Sequence, residues 1–136
     1  MPLCASETLG GSAARFADVI SQTDCRHIMY DLGWLGGISV AREVAVLADA
    51  AELPTSTHSQ GPVQFAASAH LAVHCPGCEL VELVRAAYYG YYQVVLEELP
   101  PVEAGFVSAL RGPGLGTKLR DDFLASDDVA IRRSAL

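Results

Sequence analysis

The sequence is poor in basic residues. Nine lysines and arginines stand against 16 aspartates and glutamates among 136 residues, so the formal net charge at pH 7 is −7. A protein that binds nucleic acid or an anionic membrane surface needs a concentration of positive charge. The sequence therefore predicts no nucleic-acid partner and no membrane partner.

Long apolar runs and an export signal are also missing. No segment reaches the roughly 18 uninterrupted apolar residues of a membrane-spanning helix. Residues 1–7 have neither the basic start nor the long apolar stretch of a secretory signal. The four cysteines are expected to be reduced thiols, because the cytosol keeps thiols reduced. We expect a cytoplasmic protein.

Charged residues are scarce overall. They make up 18% of the chain, whereas hydrophobic residues make up 51%. Disordered chains are more highly charged and contain fewer apolar residues. The chain is therefore expected to fold, and its length is typical of one domain.

What the sequence does contain is a repeated order of short apolar run, loop and helix. Short apolar runs bounded by turn residues predict four strands, at residues 2–6, 27–30, 55–57 and 80–84. Apolar residues at helical spacing predict three helices between them, at residues 13–21, 40–52 and 63–74. A repeat of about 25 residues that alternates strand and helix predicts βαβ units and a parallel sheet.

This alternation ends near residue 85. The later sequence contains the run YYGYY at residues 88–92 and the run GPGLG at residues 112–116, without a further strand and helix pair. We predict that residues 1–85 form the repeated units and that residues 86–136 form a tail that packs over the barrel or a capping region. The tyrosines of the tail are expected to pack rather than to line a pocket.

Each predicted strand carries a chemically versatile side chain at or near its carboxyl end. Glu7, Asp31 and His58 stand at the ends of the first three strands, and Glu82 lies within the fourth. Ligands and catalytic groups collect at this end of the strands in parallel α/β proteins. One such residue is usually a helix cap or a solvated side chain, but four at successive strands indicate a shared site.

Five segments carry a more specific pattern. They are CASETLGG at 4–11, DLGWLGGI at 31–38, HSQGP at 58–62, LVE at 80–82 and GPGLG at 112–116. Together, and with the interval between Asp31 and His58, they resemble the mandelate racemase and muconate lactonizing enzyme branch of the enolase superfamily. The resemblance implies an α/β fold, the C-terminal half of a TIM-type (β/α)7β barrel with strands like the fifth to the eighth, followed by an irregular tail.

The resemblance also implies roles for the four side chains. Glu7 would be the last of three carboxylate ligands to Mg²⁺, Asp31 would orient His58, His58 would act as general acid or base, and Glu82 would donate a hydrogen bond to an enediolate. The implied reaction is removal of the proton α to a carboxylate. This carbon-bound proton is only weakly acidic, and a metal ion stabilises the negative charge that develops as it leaves. The implied substrate is a small carboxylate or an acid sugar. Dehydration is the preferred overall reaction, and racemisation is the next alternative. The complete enzyme is expected to be a homo-oligomer.

Parts of such an enzyme are missing from this sequence. The first two metal ligands, the lysine acid/base motif and the N-terminal capping domain are not present, so we expect the C-terminal portion of an enzyme. The alternatives are a chain without catalysis of its own and a self-associating half-barrel. The loop after His58 is one residue short, which leaves Thr57 as an alternative at the histidine position, and Glu79 competes with Glu82.

The segment Cys75-Pro76-Gly77-Cys78 allows three interpretations. Two cysteines at this spacing occur in redox pairs and in half zinc sites. With His70 and His74 on the preceding helix, a small zinc-binding module is a further alternative. The Pro-Gly pair also simply ends a helix, and a helix-to-strand loop is the favoured interpretation.

Overall fold

A parallel four-stranded sheet forms the centre of the computed structural model, which describes residues 1–134. The strands are adjacent in chain order: β1 (Leu3–Ala5), β2 (Cys25–Asp31), β3 (Thr55–His58) and β4 (Cys78–Val81). The helices between them are α1 (Ala13–Gln22), the single turn α2 (Leu32–Leu35), α3 (Ile38–Ala50) and α4 (Pro62–His74). The predicted α/β fold with parallel βα units is confirmed.

The described part of the chain after β4 has short elements. They are α5 (Arg85–Tyr88), α6 (Tyr92–Val95), the antiparallel pair β5 (Val102–Glu103) and β6 (Phe106–Val107), and α7 (Asp121–Leu124). The alternation of strand and helix ends where the sequence pattern changes. A division of function between residues 1–85 and the tail stays a prediction. No helix within residues 1–134 is both long enough and apolar enough to cross a membrane.

The hydrophobic core lies between the sheet and its helices. Phe16 of α1, Ile28 and Tyr30 of β2, and Val44 of α3 are all completely buried there, and Leu71 of α4 closes the layer. Burial of one such side chain contributes about 1.5–3 kcal/mol to stability. The helical spacing of apolar residues in α1 and α3 therefore fixes the sides on which these helices pack.

The fourth strand is shorter than the sequence predicted. The pattern placed Glu82 within a strand at 80–84, but β4 ends at Val81 and Glu82 follows it. The Glu82 amide donates to the Thr57 carbonyl over 2.8 Å. Beyond this bond β4 has little backbone left to pair with, because β3 ends at His58. A strand at the edge of a sheet extends only as far as its one neighbour.

Both outer strands of the sheet are open edges within the described residues. β1 pairs with β2 alone and β4 pairs with β3 alone. Leu3 and Leu80 on these edges are 58% and 63% exposed. A groove of about 400 Å³ runs beside β1, and one of about 420 Å³ lies between β4, α4 and the β5–β6 hairpin. A closed barrel has no such edges.

The tail packs against α4 and the loop that follows β3. The ring centroids of Tyr88 and Tyr92 lie 5.8 and 6.2 Å from that of Phe65. The phenols of Tyr91 and Tyr92 donate to the carbonyls of Gln60 and Ser59 over 2.7 and 3.4 Å. The predicted packing of the tail tyrosines is therefore present for Tyr88 and Tyr92, and it holds the loop next to His58.

We expect the protein to lose stability at high pH. Burial raises the pKa of the Tyr92 phenol from 10.0 to about 12, and it raises that of Tyr30 as well. Between the unfolded and folded pKa values the unfolded chain has lost a proton that the folded chain keeps. The free energy of unfolding therefore falls as pH rises above about 10, by up to about 1.4 kcal/mol per pH unit for each group.

Denaturant titrations from about pH 7 to pH 11 measure this decline. The variant Tyr92→Phe removes one of the phenols whose pKa burial raises, so its stability is expected to fall less steeply above pH 10. The exposed Tyr89→Phe is the matched control and should leave the slope as it is. An equal slope in Tyr92→Phe and the unsubstituted protein would contradict the assignment.

Candidate functional site

Two of the predicted site residues are in direct contact. Asp31 and His58 are the last residues of β2 and β3 and are paired in the register of the two strands. His58 Nδ1 lies 2.6 Å from Asp31 Oδ2. A carboxylate accepts hydrogen bonds and does not donate them, so Nδ1 carries the proton and Nε2 is the nitrogen left for chemistry.

The Asp31 carboxylate is completely buried and accepts three hydrogen bonds. Besides His58, the Trp34 amide donates to Oδ1 over 2.9 Å and the Gln64 side-chain nitrogen donates to Oδ1 over 2.7 Å. The Trp34 bond makes Asp31 the N-cap of α2. Both carboxylate oxygens are occupied, so the carboxyl plane is fixed and with it the imidazole.

The sequence reasoning missed Gln64. This residue lies in the first turn of α4 and is one of the few polar side chains of an otherwise apolar helix. That isolated polarity, just after the HSQGP segment, is the signal that identifies it. Gly33 permits the contact, because a Cβ at Gly33 would overlap the Gln64 amide nitrogen.

Trp34 covers one side of the imidazole. Its ring centroid lies 5.4 Å from that of His58, with an interplanar angle of 37°. The indole is 44% exposed although it is large and apolar. Trp34 was part of the motif at residues 31–38, but the sequence reasoning assigned it no contact. It restricts the rotation of His58 together with Asp31.

The Gly33 and Gln64 contact gives a sharp stability test. We expect Gly33→Ala to lower the free energy of unfolding by about 1–3 kcal/mol. The new methyl group displaces the Gln64 amide, so the buried Asp31 Oδ1 loses one of its two hydrogen-bond donors. Helix propensity alone predicts the opposite effect, since alanine stabilises a helix relative to glycine. In a Gln64→Ala background the overlap with the amide is gone, and Gly33→Ala should then cost less, with only the 3.2 Å approach of its Cβ to Asp31 Oδ1 remaining. A cost that is equal in both backgrounds would refute the contact.

Glu7 lies in the turn directly after β1. Its Oε2 accepts a hydrogen bond from the Ser6 hydroxyl over 2.8 Å. This bond is the main reason why the pKa of Glu7 is lowered, and the nearby imidazole of His58 lowers it further. Because Glu7 follows the carboxyl end of β1, it stands at the same end of the sheet as the Asp31–His58 pair. The Asp31 carboxylate acts in the opposite direction to His58 and raises the pKa of Glu7.

Glu82 stands at the same edge without touching the pair. It follows Val81, whose register partner Thr57 precedes His58, and it is exposed. No side-chain hydrogen bond of Glu82 occurs within residues 1–134. Glu79 lies at the start of β4, beside Cys78, which pairs with Thr55 at the other end of β3. The position of Glu82, and not that of Glu79, is the one near His58.

The described residues do not form a metal site by themselves. Among residues 1–134, no three His, Cys, Asp or Glu side chains converge on a common point. The carboxylate of Glu7 is a suitable Mg²⁺ ligand, but one carboxylate does not match the near-octahedral set that this ion requires. The zinc alternative finds no support either, since the His70 imidazole contacts the Leu115 carbonyl over 3.1 Å.

The comparison with protein families identifies the proteins that share this arrangement. Residues 1–123 match the family described as enolase C-terminal domain-like. The chain belongs to the enolase superfamily. The recognition of its mandelate racemase branch from the motifs at residues 4–11, 31–38 and 58–62 is confirmed, as is the half-barrel fold.

Solved structures from this superfamily resemble the chain over most of its length. An enolase of the mandelate racemase subgroup from Agrobacterium tumefaciens is 37% identical, with a TM-score of 0.82 over 90% of this chain. An enolase protein from Sargasso Sea environmental sequencing is 32% identical, with a TM-score of 0.88 over 99%. A mandelate racemase/muconate lactonizing enzyme from Jannaschia sp. CCS1 is 30% identical, with a TM-score of 0.84 over 98%. No curated protein matches the chain.

The chain spans only about a third of these relatives. The matched part is 32% of the Agrobacterium protein, 36% of the Sargasso Sea protein and 33% of the Jannaschia protein. Activity of a whole enzyme is therefore a proposal for this chain.

Proposed function

We propose that this chain supplies the acid–base part of a catalytic site that removes the α-proton of a carboxylate substrate. The observation that carries the proposal is the buried Asp31–His58 pair, with 2.6 Å between Oδ2 and Nδ1, at the carboxyl ends of adjacent parallel strands. A positioned imidazole at that end of a barrel is suited to proton transfer near neutral pH.

His58 performs the proton transfer in this proposal. Asp31 holds Nδ1 as a donor, so Nε2 accepts the proton from carbon and returns it later as a general acid. Gln64 and the Trp34 amide keep Asp31 from rotating away. The imidazole thus meets substrate in one tautomer and one orientation, which saves the cost of ordering it in the transition state.

In this proposal Glu82 and Glu7 stabilise the negative charge that develops on the substrate. Glu82 in its protonated form would donate a hydrogen bond to the enediolate oxygen. Glu7 would be one ligand of a magnesium ion whose two further carboxylates come from outside this chain. Dehydration of an acid sugar is the preferred overall reaction, and racemisation of a carboxylate is the alternative. Both begin with removal of the same α-proton.

The experiment completes the barrel. Residues 1–123 replace the matching part of the Agrobacterium tumefaciens relative, which is 37% identical over the matched region. The chimera is incubated in deuterated buffer with Mg²⁺ and a panel of acid sugars, and loss of the α-proton signal is followed by NMR. Exchange on at least one substrate is expected. A folded chimera that exchanges no α-proton while the unsubstituted relative does so would overturn the proposal.

The chain alone is expected to bind Mg²⁺ weakly, because it supplies one carboxylate where three are needed. At a concentration about a fifth of the dissociation constant, the ion adds only about 0.1 kcal/mol of stability. Thermal unfolding should therefore be the same with and without a few millimolar Mg²⁺, and Glu7→Gln should behave identically. Micromolar affinity by calorimetry that Glu7→Gln abolishes would show a metal site within this chain.

A chain without catalysis of its own is the second candidate. The single metal ligand and the two open sheet edges favour it for the isolated polypeptide. The chimera distinguishes the two candidates: it exchanges the α-proton if the Asp31–His58 pair is functional in a completed barrel, and it does not if this chain is inactive even there. Absence of exchange by the isolated chain is expected under both.

A further inference from the structure

The connection from α4 to β4 is a closed turn with a cysteine at each end. Cys75 follows the last residue of α4 and Cys78 is the first residue of β4. The Cys78 amide donates to the Cys75 carbonyl over 2.9 Å. The first and last Cα atoms of such a turn lie within about 7 Å, and disulfides span Cα separations of about 4.4–6.8 Å. The backbone already has the geometry of a disulfide loop.

Both cysteines pack on the same hydrophobic cluster. Cys75 is buried in the cluster that contains Tyr30, and Cys78 packs against that cluster while half-buried. Each thiol contributes to raising the pKa of the Tyr30 phenol, and Cys75 contributes to raising that of Cys78. Both residues therefore border the hydrophobic cluster that contains Tyr30. The Tyr30 hydroxyl is buried without a partner at hydrogen-bonding geometry.

We propose that Cys75 and Cys78 form a reversible intramolecular disulfide by exchange with a low-molecular-weight disulfide. This is a site of oxidative modification at the amino end of β4, the end of the sheet opposite to His58. It does not depend on the proposed function. The hydrogen-bonded turn keeps the two residues close in space before the reaction.

Cys78 is the first thiol to react. It is half-buried and lines the groove of about 420 Å³ beside β4, whereas Cys75 is buried. The Cys78 thiolate attacks one sulfur of the small disulfide and releases one small thiol. Cys75 then attacks the Cys78 sulfur of the mixed disulfide and releases the second. Two cysteines are oxidised, one small disulfide is reduced to two thiols, and those thiols take up the two protons that the protein loses.

The environment sets the rate and the stability of the bond. Burial raises the pKa of both thiols, so few thiolates are present at neutral pH and the exchange accelerates as pH rises. Thiols of high pKa are also slow leaving groups, which protects the disulfide once it has formed. Glu79 lines the same groove, so an uncharged reagent enters more readily than an anionic one.

The other two cysteines provide an internal comparison. Cys4 and Cys25 lie on the adjacent strands β1 and β2, but the register pairs Cys4 with His27 and pairs Cys25 with Leu3. No turn links them. The variant Cys4→Ser/Cys25→Ala keeps only the proposed pair, and Cys75→Ala/Cys78→Ser keeps only the comparison pair.

The test uses the full chain and the uncharged reagent hydroxyethyl disulfide. After timed exposure, free thiols are alkylated and peptides are weighed by mass spectrometry. We expect the peptide with residues 75–78 to lose two hydrogens and to escape alkylation, at least about tenfold faster than the comparison pair closes. The rate should rise with pH, and dithiothreitol should restore both thiols.

Three results would overturn the proposal. They are a mixed disulfide that persists on Cys78, full alkylation of both thiols after the exposure in folded protein, and stoichiometric zinc that protects both from alkylation. If a double variant fails to fold, the unsubstituted chain gives the same answer, because residues 75–78 lie on one peptide and their disulfide is identified by mass alone.

Discussion

Asparagine in place of His58 is expected to lower α-proton exchange by the completed barrel by about 10²–10⁴, the usual effect of losing a general acid or base. Asparagine fills a similar volume, and its amide still donates to Asp31 but takes up no proton from carbon. The expected loss is therefore in turnover more than in substrate binding. The NMR exchange assay on the chimera measures it directly.

Two further variants make the result specific. His74→Asn changes an exposed histidine at the opposite end of α4 and should leave exchange unchanged. Asp31→Asn should lower exchange while the protein stays folded, because an amide can present a donor to Nδ1 and so favour the wrong tautomer. Near-full exchange by His58→Asn would remove His58 from the mechanism and leave Thr57 or another group to be tested.

The isolated chain is expected to sediment at twice the mass of one copy or more. β1 and β4 present unpaired backbone groups, and Leu3, Leu80 and the 78% exposed Phe106 lie beside them. Open edges with exposed apolar side chains pair with other chains. We propose that two half-barrels associate through these edges, which is the self-associating half-barrel that the sequence left as an alternative.

Lysine substitutions distinguish the edges from the rest of the surface. Leu80→Lys places a charge on the β4 edge and should shift the chain toward monomer. Val46→Lys on α3 is the matched control, since Val46 is 55% exposed and lies away from both edges. Analytical ultracentrifugation measures the mass. A stable monomer of the unsubstituted chain with a sharp unfolding transition would refute the association.

Local patterns were sufficient for most of the fold. The apolar spacing of α3 and α4 and the breaks at Gly36-Gly37 and Pro54 are local features, so they predicted these helices without knowledge of the tertiary structure. The end of β4 was wrong because it depends on where β3 stops. A strand boundary that a neighbour determines is invisible in the strand's own residues.

The site divides in the same way. Asp31 and His58 were predicted to meet because parallel strands in register bring their carboxyl ends together. Gln64 was missed because its bond to Asp31 depends on the angle at which α4 enters and on the absence of a Cβ at Gly33. The contact of Trp34 with His58 likewise depends on the turn of α2. These contacts need three-dimensional placement of whole elements.

The three hydrogen bonds on Asp31 have a consequence for how such enzymes diverge. Each donor comes from a different element, α2, β3 or α4, and all three lie between Asp31 and Gln64 in one continuous stretch of chain. His58 and the groups that orient it can thus be inherited together as one module. Recombination at a boundary that precedes Asp31 would exchange this hydrogen-bonded arrangement between relatives without disturbing its internal alignment.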